Sequence, residues 1–373
     1  MIDFIKARLL STDMNYLLKN PALEFIGSYN HSTYEIYDNC KAEYKGIDII
    51  ITRSKEVYIK GSLHKLHNFD EETNQGHNHG DFTYYALKKT VSELSDLLDV
   101  NPSTIRLENV EIGVNIRLNN FIHQTVSQYL VIHKTRPFGE LNNGRGKFFG
   151  KQAIHKQYYW KIYAKGIQYR LDHDETRFEL KVKTMEFLTR VIKRNPLSQK
   201  SDRYLTLSDL INKEYLTKLG ETLLRAWKET IVYEDWINFS KIPAKDQIFI
   251  LNCRNPLYWM INNFQGDDLR NAKRRYKGLQ KRYSRINLHQ IIYDEIQAKW
   301  NELLKAEPNS ISHDQHGNKK VKFLTFFNHS ISRLISDLIK RLGTYFPGFT
   351  THIRDVASKY LNSKKQKIAN GSF

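Results

Sequence analysis

The sequence predicts an α+β protein: a mostly antiparallel β-sheet domain with packed helices over residues 1–200, followed by an all-helical domain over residues 201–373. Three observations lead there. Residues 110–118, 158–165 and 176–183 alternate apolar and polar side chains, the period of a half-buried strand. Residues 83–98 carry Tyr84, Leu87, Val91, Leu94 and Leu98 at three- and four-residue steps, which is the stripe of a helix lying on a sheet. After Lys183 the texture turns helical, and the polar segment SQKSDR near residue 200 marks the boundary.

Taken in order, Ile2–Leu9 and Tyr34–Tyr37 read as short strands, with a brief helix over Asp13–Lys19 that Asn20-Pro21 closes. Gly46–Thr52 holds the β-branched run IDIIIT, a strand by composition. Val57–His64 alternates so that Tyr58, Lys60, Ser62 and His64 share the polar face. Residues 67–81, HNFDEETNQGHNHGD, have no apolar period and read as a loop. Asp81 is placed to cap the helix Thr83–Leu98, because its carboxylate accepts from free amides of a first turn. Asn101-Pro102 ends that helix.

Val110–Leu118 then points Val110, Ile112, Val114, Ile116 and Leu118 one way and Glu111, Gly113, Asn115 and Arg117 the other. Thr125–Lys134 is a further strand. Arg136–Lys147, RPFGELNNGRGK, is a glycine-rich basic loop without the GxxxxGK spacing of a phosphate loop, so nucleotide hydrolysis is not supported. Residues 158–165 and 176–183 form a hairpin across the turn-prone segment Gly166–Glu175. Met185–Lys193 is a helix stopped by Arg194-Asn195-Pro196. From Thr206 the pattern is helical, including Leu288–Leu304 and Phe326–Leu342, and the tail from Ser363 is basic.

The 373 residues carry a formal charge of +18, more than solubility needs, which favours a polyanionic partner. Many of the 22 tyrosines are interleaved with lysine and arginine, as in surfaces that stack on unpaired bases. Cys40 and Cys253 are too few for a disulfide framework or a zinc cluster, so a reducing, cytoplasmic setting is expected. The start MIDFIKARLL lacks the apolar core of a signal peptide, and no apolar run reaches membrane-spanning length.

The chemistry-bearing residues gather on one strand parity. Tyr159, Lys161, Tyr163 and Lys165 share a face in the first hairpin strand, and Arg177, Glu179, Lys181 and Lys183 share one in the second. A tyrosine hydroxyl among cations beside a carboxylate suits chemistry on a phosphodiester. His64, His67, His77 and His79 form a histidine-rich neighbourhood, and histidine is the commonest metal ligand. Residues 268–285 carry cations at nearly half their positions, among them Arg274, Arg275, Lys277, Lys281 and Arg282, with Tyr276 and Tyr283 between them. On a helix these make a positive face that binds phosphates without reading sequence.

Phe149-Gly150, Ile162-Tyr163-Ala164-Lys165-Gly166 and Arg177-Phe178-Glu179, preceded by KGSLHKLHNF, NHGDF and NVEIGVNI, stand in an order that resembles the rolling-circle replication initiators of filamentous phages and related plasmids. The resemblance covers roughly residues 55 to 185. It implies a DNA nicking and joining domain over 1–200 and a helical DNA-binding or accessory domain over 201–373. It places the nucleophile at Tyr163, while strand parity leaves Tyr159 and hairpin proximity leaves Tyr169 as rivals, and Lys165 or Arg177 would stabilise the transition state. A divalent metal, Mg²⁺ or Mn²⁺, falls to Glu111 and Glu179, with Asn115 and His64 as further candidates. The implied partners are origin DNA, single-stranded or hairpin, and a host helicase and polymerase, in the host cytoplasm and away from membranes. Two other readings stay open: a protein that holds an origin or hairpin without cutting it, and a relaxase or transposase with the same nicking chemistry.

Overall fold

The structure, a computed structural model, describes residues 1–306 apart from 29, 31, 34–35, 119–125, 143–147, 193–203, 235, 261–263 and 265–266. The chain divides into two compact units, Met1–Ile311 and Ser312–Phe373, and the second lies outside the described residues. The expected helix Phe326–Leu342 and the basic tail therefore lie outside them too.

The amino-terminal part runs β1 (Ile2–Leu9), α1 (Met14–Lys19), β2 (Cys40–Tyr44), β3 (Ile47–Ile51), β4 (Val57–Ser62), α2 (Leu63–His67), β5 (Phe69–Asp70), β6 (Gln75–Gly76), α3 (Tyr84–Leu98) and β7 (Ile105–Ile116). It continues with β8 (Leu130–His133), β9 (Arg136–Pro137), β10 (Gly139–Asn142), β11 (Phe148–Ile154), β12 (Tyr158–Ala164), α4 (Lys165–Tyr169), β13 (Thr176–Val182) and α5 (Glu186–Ile192). Then come α6 (Lys213–Lys228), β14 (Thr230–Val232), α7 (Ala244–Cys253), α8 (Pro256–Met260), α9 (Asp268–Tyr283) and α10 (Leu288–Lys305).

The protein is α+β. Nine antiparallel strands form one sheet in the order β10-β11-β12-β13-β7-β1-β4-β3-β2, and β14-β8-β9 form a second, three-stranded sheet. Strand alternation divides the large sheet into two faces. One buries Ile5, Ala7, Ile59, Val110, Ile112, Val114, Trp160, Ile162, Phe178 and Leu180 in a core shared with α3, α6 and α10. Trp227 of α6 meets Phe178 edge-on at 5.6 Å, and Trp160 reaches Thr230 Oγ1 with its ring nitrogen at 3.1 Å. A second apolar cluster joins the three-stranded sheet to α7, α8 and α9 through Ile132, Ile231, Ile250, Trp259 and Tyr276.

Several sequence expectations change. Tyr34 and Glu35 lie outside the described residues and Tyr37 is a bend; the strand beside β3 is Cys40–Tyr44, which puts Cys40 and Ala42 into the core. Alternation in β4 stops at Ser62, whose hydroxyl accepts from Lys65 N and starts α2. His64 is therefore helical, not on the polar strand face. Residues 67–81 include the small hairpin β5–β6. Asp81 does not cap α3; Thr83 does, and Asp81 instead pairs with Lys299 of α10 at 2.8 Å. The strand expected over Thr125–Lys134 is confined to β8, with Val126 to Gln128 in a helical turn. The expected loop 136–147 contributes β9 and the edge strand β10, and the turn 166–175 contains α4.

After Thr206 helices dominate, as the pattern predicts, except for β14. The expected domain boundary falls within the undescribed residues 193–203, and the core on either side of it is continuous from β1 to α10. Among the described residues no helix is long and apolar enough to cross a membrane.

Candidate functional site

The opposite face of the sheet is ordered by register. Pairing of β12 with β13, and of β13 with β7, sets up three rows: Tyr163, Arg177 and Asn115; Lys161, Glu179 and Gly113; Tyr159, Lys181 and Glu111. Neighbouring strands are about 5 Å apart, so side chains of one row and the next touch. Two glycines permit this spacing. A Cβ at Gly150 of β11 would lie 2.3 Å from Tyr163 Cβ, and one at Gly113 would lie 2.4 Å from the Phe178 carbonyl. The space beside Glu111 is therefore taken by the approach of β13.

Glu179 is the centre of the face. Its Oε2 accepts from the Tyr163 hydroxyl at 2.9 Å and from Arg177 Nε at 2.8 Å, and its Oε1 accepts from Lys161 Nζ at 2.9 Å. Lys181 Nζ lies 2.7 Å from Glu111 Oε1, with Lys161 at 3.8 Å from the same atom. Arg177 also donates to Asn115 Oδ1 at 2.9 Å and lies 3.1 Å from Asp3 Oδ2.

Asp3 was missed by the sequence reading. β1 carries a bulge between Ile2 and Ile5, where three steps along β1 oppose two along β7, from Ile112 to Val110. The extra residue lets Ile2 and Ile5 both face the core and sends Asp3 to the polar face. The signal was there: buried positions 2, 5, 7 and 9 break strict alternation at one step. There the Asp3 carboxylate accepts from the Ser62 hydroxyl and, at 2.5 Å, from Asn78 Nδ2.

Asn78 links this network to Lys165 and Tyr169. Its Oδ1 accepts from Lys165 Nζ at 2.7 Å and from the Tyr169 hydroxyl at 2.5 Å, while its carbonyl accepts from Asn115 Nδ2 at 3.2 Å. Lys165 opens α4, with its ammonium 5.4 Å from the Tyr163 ring centre and 5.1 Å from that of Tyr169. Tyr159 stands apart at the outer row and accepts from Lys183 Nζ at 3.2 Å.

The electrostatics follow from burial. Burial and then the Glu179 charge push the Tyr163 hydroxyl well above its ordinary pKa. Burial raises Glu179 too, but Lys161 and Arg177 outweigh it and hold the carboxyl well below the usual range. Glu111 has the opposite balance: burial and the nearby Glu179 charge raise it in spite of its two lysines. Lys165 falls to about 8 through burial and repulsion from Arg177.

Asp3, Glu111 and Glu179 bring ligand oxygens within 4.8 Å of one another, the one such group among the described residues. Three carboxylate oxygens are hard donors that fit Mg²⁺ or Mn²⁺. Arg177, Lys161 and Lys181 already balance their charge, so an ion would have to displace these cations. His64 is not among these ligands: it is buried in α2, stacks on Phe82 at 4.8 Å and is held neutral by burial. His77 stacks on His79 at 4.0 Å, and His79 meets Tyr169 edge-on at 5.1 Å. Asn115 spends its side chain on Arg177 and on the 78–80 loop.

The basic helix α9 is less open than its charge suggests. Tyr276 is fully buried, with its hydroxyl donating to Val232 O at 3.3 Å, so it is no base-stacking platform. Arg275 pairs with Asp246 at 2.5 Å and covers the Phe249 ring, and Lys277 donates to the carbonyl of Lys228. Arg282 lies over Tyr283 at 5.9 Å, and Arg274, Lys281 and Arg282 are exposed. Compared with protein-family models the chain matches none, and compared with curated proteins it has no match.

Proposed function

We propose that the chain is a rolling-circle replication initiator that cuts and rejoins one strand of DNA at a specific site, with Tyr163 as its nucleophile. One juxtaposition carries this reading: the Tyr163 hydroxyl points at Glu179 from 2.9 Å, and Glu179 shares its position with Asp3 and Glu111. Tyr163 Oη attacks the phosphorus, its proton passes to Glu179, and the bond from phosphorus to O3′ breaks. The proton returns to the leaving oxygen. One end is then a 5′-phosphotyrosine and the other a free 3′-hydroxyl for a polymerase, and the stored ester permits rejoining without ATP.

Arg177 and Lys161, bound to the same carboxylate, offer the positive charge that a pentacovalent transition state needs, with Lys165 behind the tyrosine ring. A divalent ion held by Asp3, Glu111 and Glu179 would supply further charge against the phosphodiester. In the resting protein the weakly acidic phenol and the weakly basic Glu179 both oppose proton transfer, so the reaction requires substrate to alter that balance. Residues 201–373 would serve as the helical DNA-binding or accessory domain, and a host helicase and polymerase in the cytoplasm as partners.

The test is incubation with a single-stranded origin oligonucleotide and Mg²⁺ or Mn²⁺, followed by denaturing electrophoresis. Wild type should give a denaturant-resistant adduct and Tyr163→Phe none. An adduct that survives in Tyr163→Phe moves the role to Tyr159 or Tyr169. A second reading, a protein that binds origin DNA without cutting it, is favoured by the 7% exposure of Tyr163, and bound DNA without any adduct would establish it. A relaxase or transposase with the same chemistry would also give the adduct, and differs in its DNA target.

A further inference from the structure

Four lysines from three separate elements converge where α9 crosses the end of β8 and the carboxyl-terminal end of α6. Lys273 Nζ donates to Lys134 O at 2.5 Å, and Lys277 Nζ donates to Lys228 O. The Lys134 amide donates to Glu229 O at 3.2 Å, and its ammonium lies 3.3 Å from Glu229 Oε2. Lys134 thus pairs with the Glu229 carboxylate, and Lys273 and Lys277 bind backbone carbonyls beside it. Aromatic rings lie against two of the lysines: the Lys134 ammonium is 5.4 Å from the Tyr158 ring centre and that of Lys228 is 4.7 Å from Tyr293.

Capping explains part of this arrangement. Lys277 satisfies a carbonyl at the last turn of α6, where a cation also complements the helix dipole. Capping does not explain why Lys134, Lys228 and Lys273 gather at the same place. A carbonyl uses one of an ammonium's three donors, so Lys273 and Lys277 keep donors for a ligand. Burial, with repulsion among the lysines, depresses Lys277 to about 8 and lowers Lys273 as well. Positive charge held against its own repulsion is relieved by a bound anion.

We propose that this lysine cluster grips the phosphate backbone of a single DNA strand through Lys134, Lys228, Lys273 and Lys277, in preference to the outward stripe of Arg274 and Lys281. The proposal rests on the DNA-processing reading above and names the surface that holds the substrate. Tyr158, whose ring lies against Lys134, begins β12, the strand that carries Tyr163 on its other face.

Fluorescence anisotropy of the full chain with a single-stranded oligonucleotide across a salt series tests this. Lys134→Gln with Lys228→Gln should weaken binding about three- to tenfold and reduce the slope of log K against log salt by about 1.4, at roughly 0.7 per single-strand contact. Glu229→Gln should tighten binding, since it removes the carboxylate that Lys134 pairs with; lysines serving only as caps would give no gain. Arg274→Gln with Lys281→Gln is the comparison and should change the slope less. Unchanged affinity and slope in the Lys134/Lys228 variant, or no gain in Glu229→Gln, overturns the cluster's role. A wild type that fails to bind DNA overturns both the cluster's role and the nicking reading, whereas one that binds without forming an adduct overturns the nicking alone.

Discussion

Arg177 holds the polar face together by binding Glu179, Asn115 and Asp3 from a position only 2% exposed. Breaking a buried ion pair from one side leaves charge without a partner, which typically costs about 3–5 kcal/mol. Arg177→Met should show a loss of that order in urea unfolding. Acid stability carries the same signature. The folded Glu179 carboxyl titrates below the ~4.3 of an unfolded glutamate, so its contribution is complete above about pH 5 and is lost as pH falls through the unfolded value toward the folded one. Arg177→Met should flatten that acid limb, and a limb identical to wild type would contradict the pairing. Lys165, at about 8, loses its charge within the working range. Adduct formation should therefore fall as pH rises through 8, and a profile flat to pH 10 would remove its charge from the mechanism. Glu111 is the carboxylate most open to exchange, with 12% of its side chain exposed. Glu111→Gln should lower adduct yield at limiting Mn²⁺ and regain part of it at high Mn²⁺, because a ligand is weakened while the nucleophile stays.

The elements place these residues through close strand approach. β11 runs beside β12 with Gly150 facing Tyr163, and any side chain at 150 meets both Tyr163 Cβ and, at 2.4 Å, the Ile162 carbonyl. Neither obstacle is the free end of a flexible side chain. Gly150→Val should push the strands apart and cost about 2–3 kcal/mol, readable as a lowered thermal midpoint by circular dichroism. A midpoint within a degree of wild type would mean that β11 moves away freely. The bulge in β1 acts in the same manner at the other side of the site: one extra residue exchanges an inward position for an outward carboxylate. In α9 the apolar face formed by Leu269, Ala272, Tyr276 and Leu279 is anchored in the second apolar cluster, so its cations divide into exposed and clamped sets.

At the scale of the molecule, the large sheet and the helices α6 and α10 share one core. Trp227 packs on Phe178 and donates to His289 O at 2.8 Å, and Trp300 fits against α6 because Gly220 has no side chain there. A chain ending at residue 200 would leave the apolar face of β7, β12 and β13 without α6 and α10. Such a fragment should be insoluble or fail to show a cooperative melt, and a fragment that folds and melts cooperatively would support a division at residue 200. Trp227→Ala should cost about 3–5 kcal/mol and lower one common transition followed by both near- and far-ultraviolet dichroism.

Much of the site was legible in the sequence because strand parity is local. Alternation in 110–118, 158–165 and 176–183 put Glu111, Tyr163, Arg177 and Glu179 on one face, and the nine-stranded sheet sets them on adjacent strands. The helices α3, α6 and α10 follow from their periods in the same way. Asp3 was hidden because a bulge changes parity by one residue, and His64 was misplaced because Ser62 turns a strand into a helix within one step. Asn78 stands in the NHGDF segment but had no role assigned there, and the gathering of Lys134, Lys228, Lys273 and Lys277 has no signature along the chain. Periodicity reports which way a side chain faces its own element, since backbone geometry repeats over two to four residues. Which strands become neighbours, which loop folds over them and which lysines come together depend on pairings tens to more than a hundred residues apart, and only the packed tertiary structure decides those.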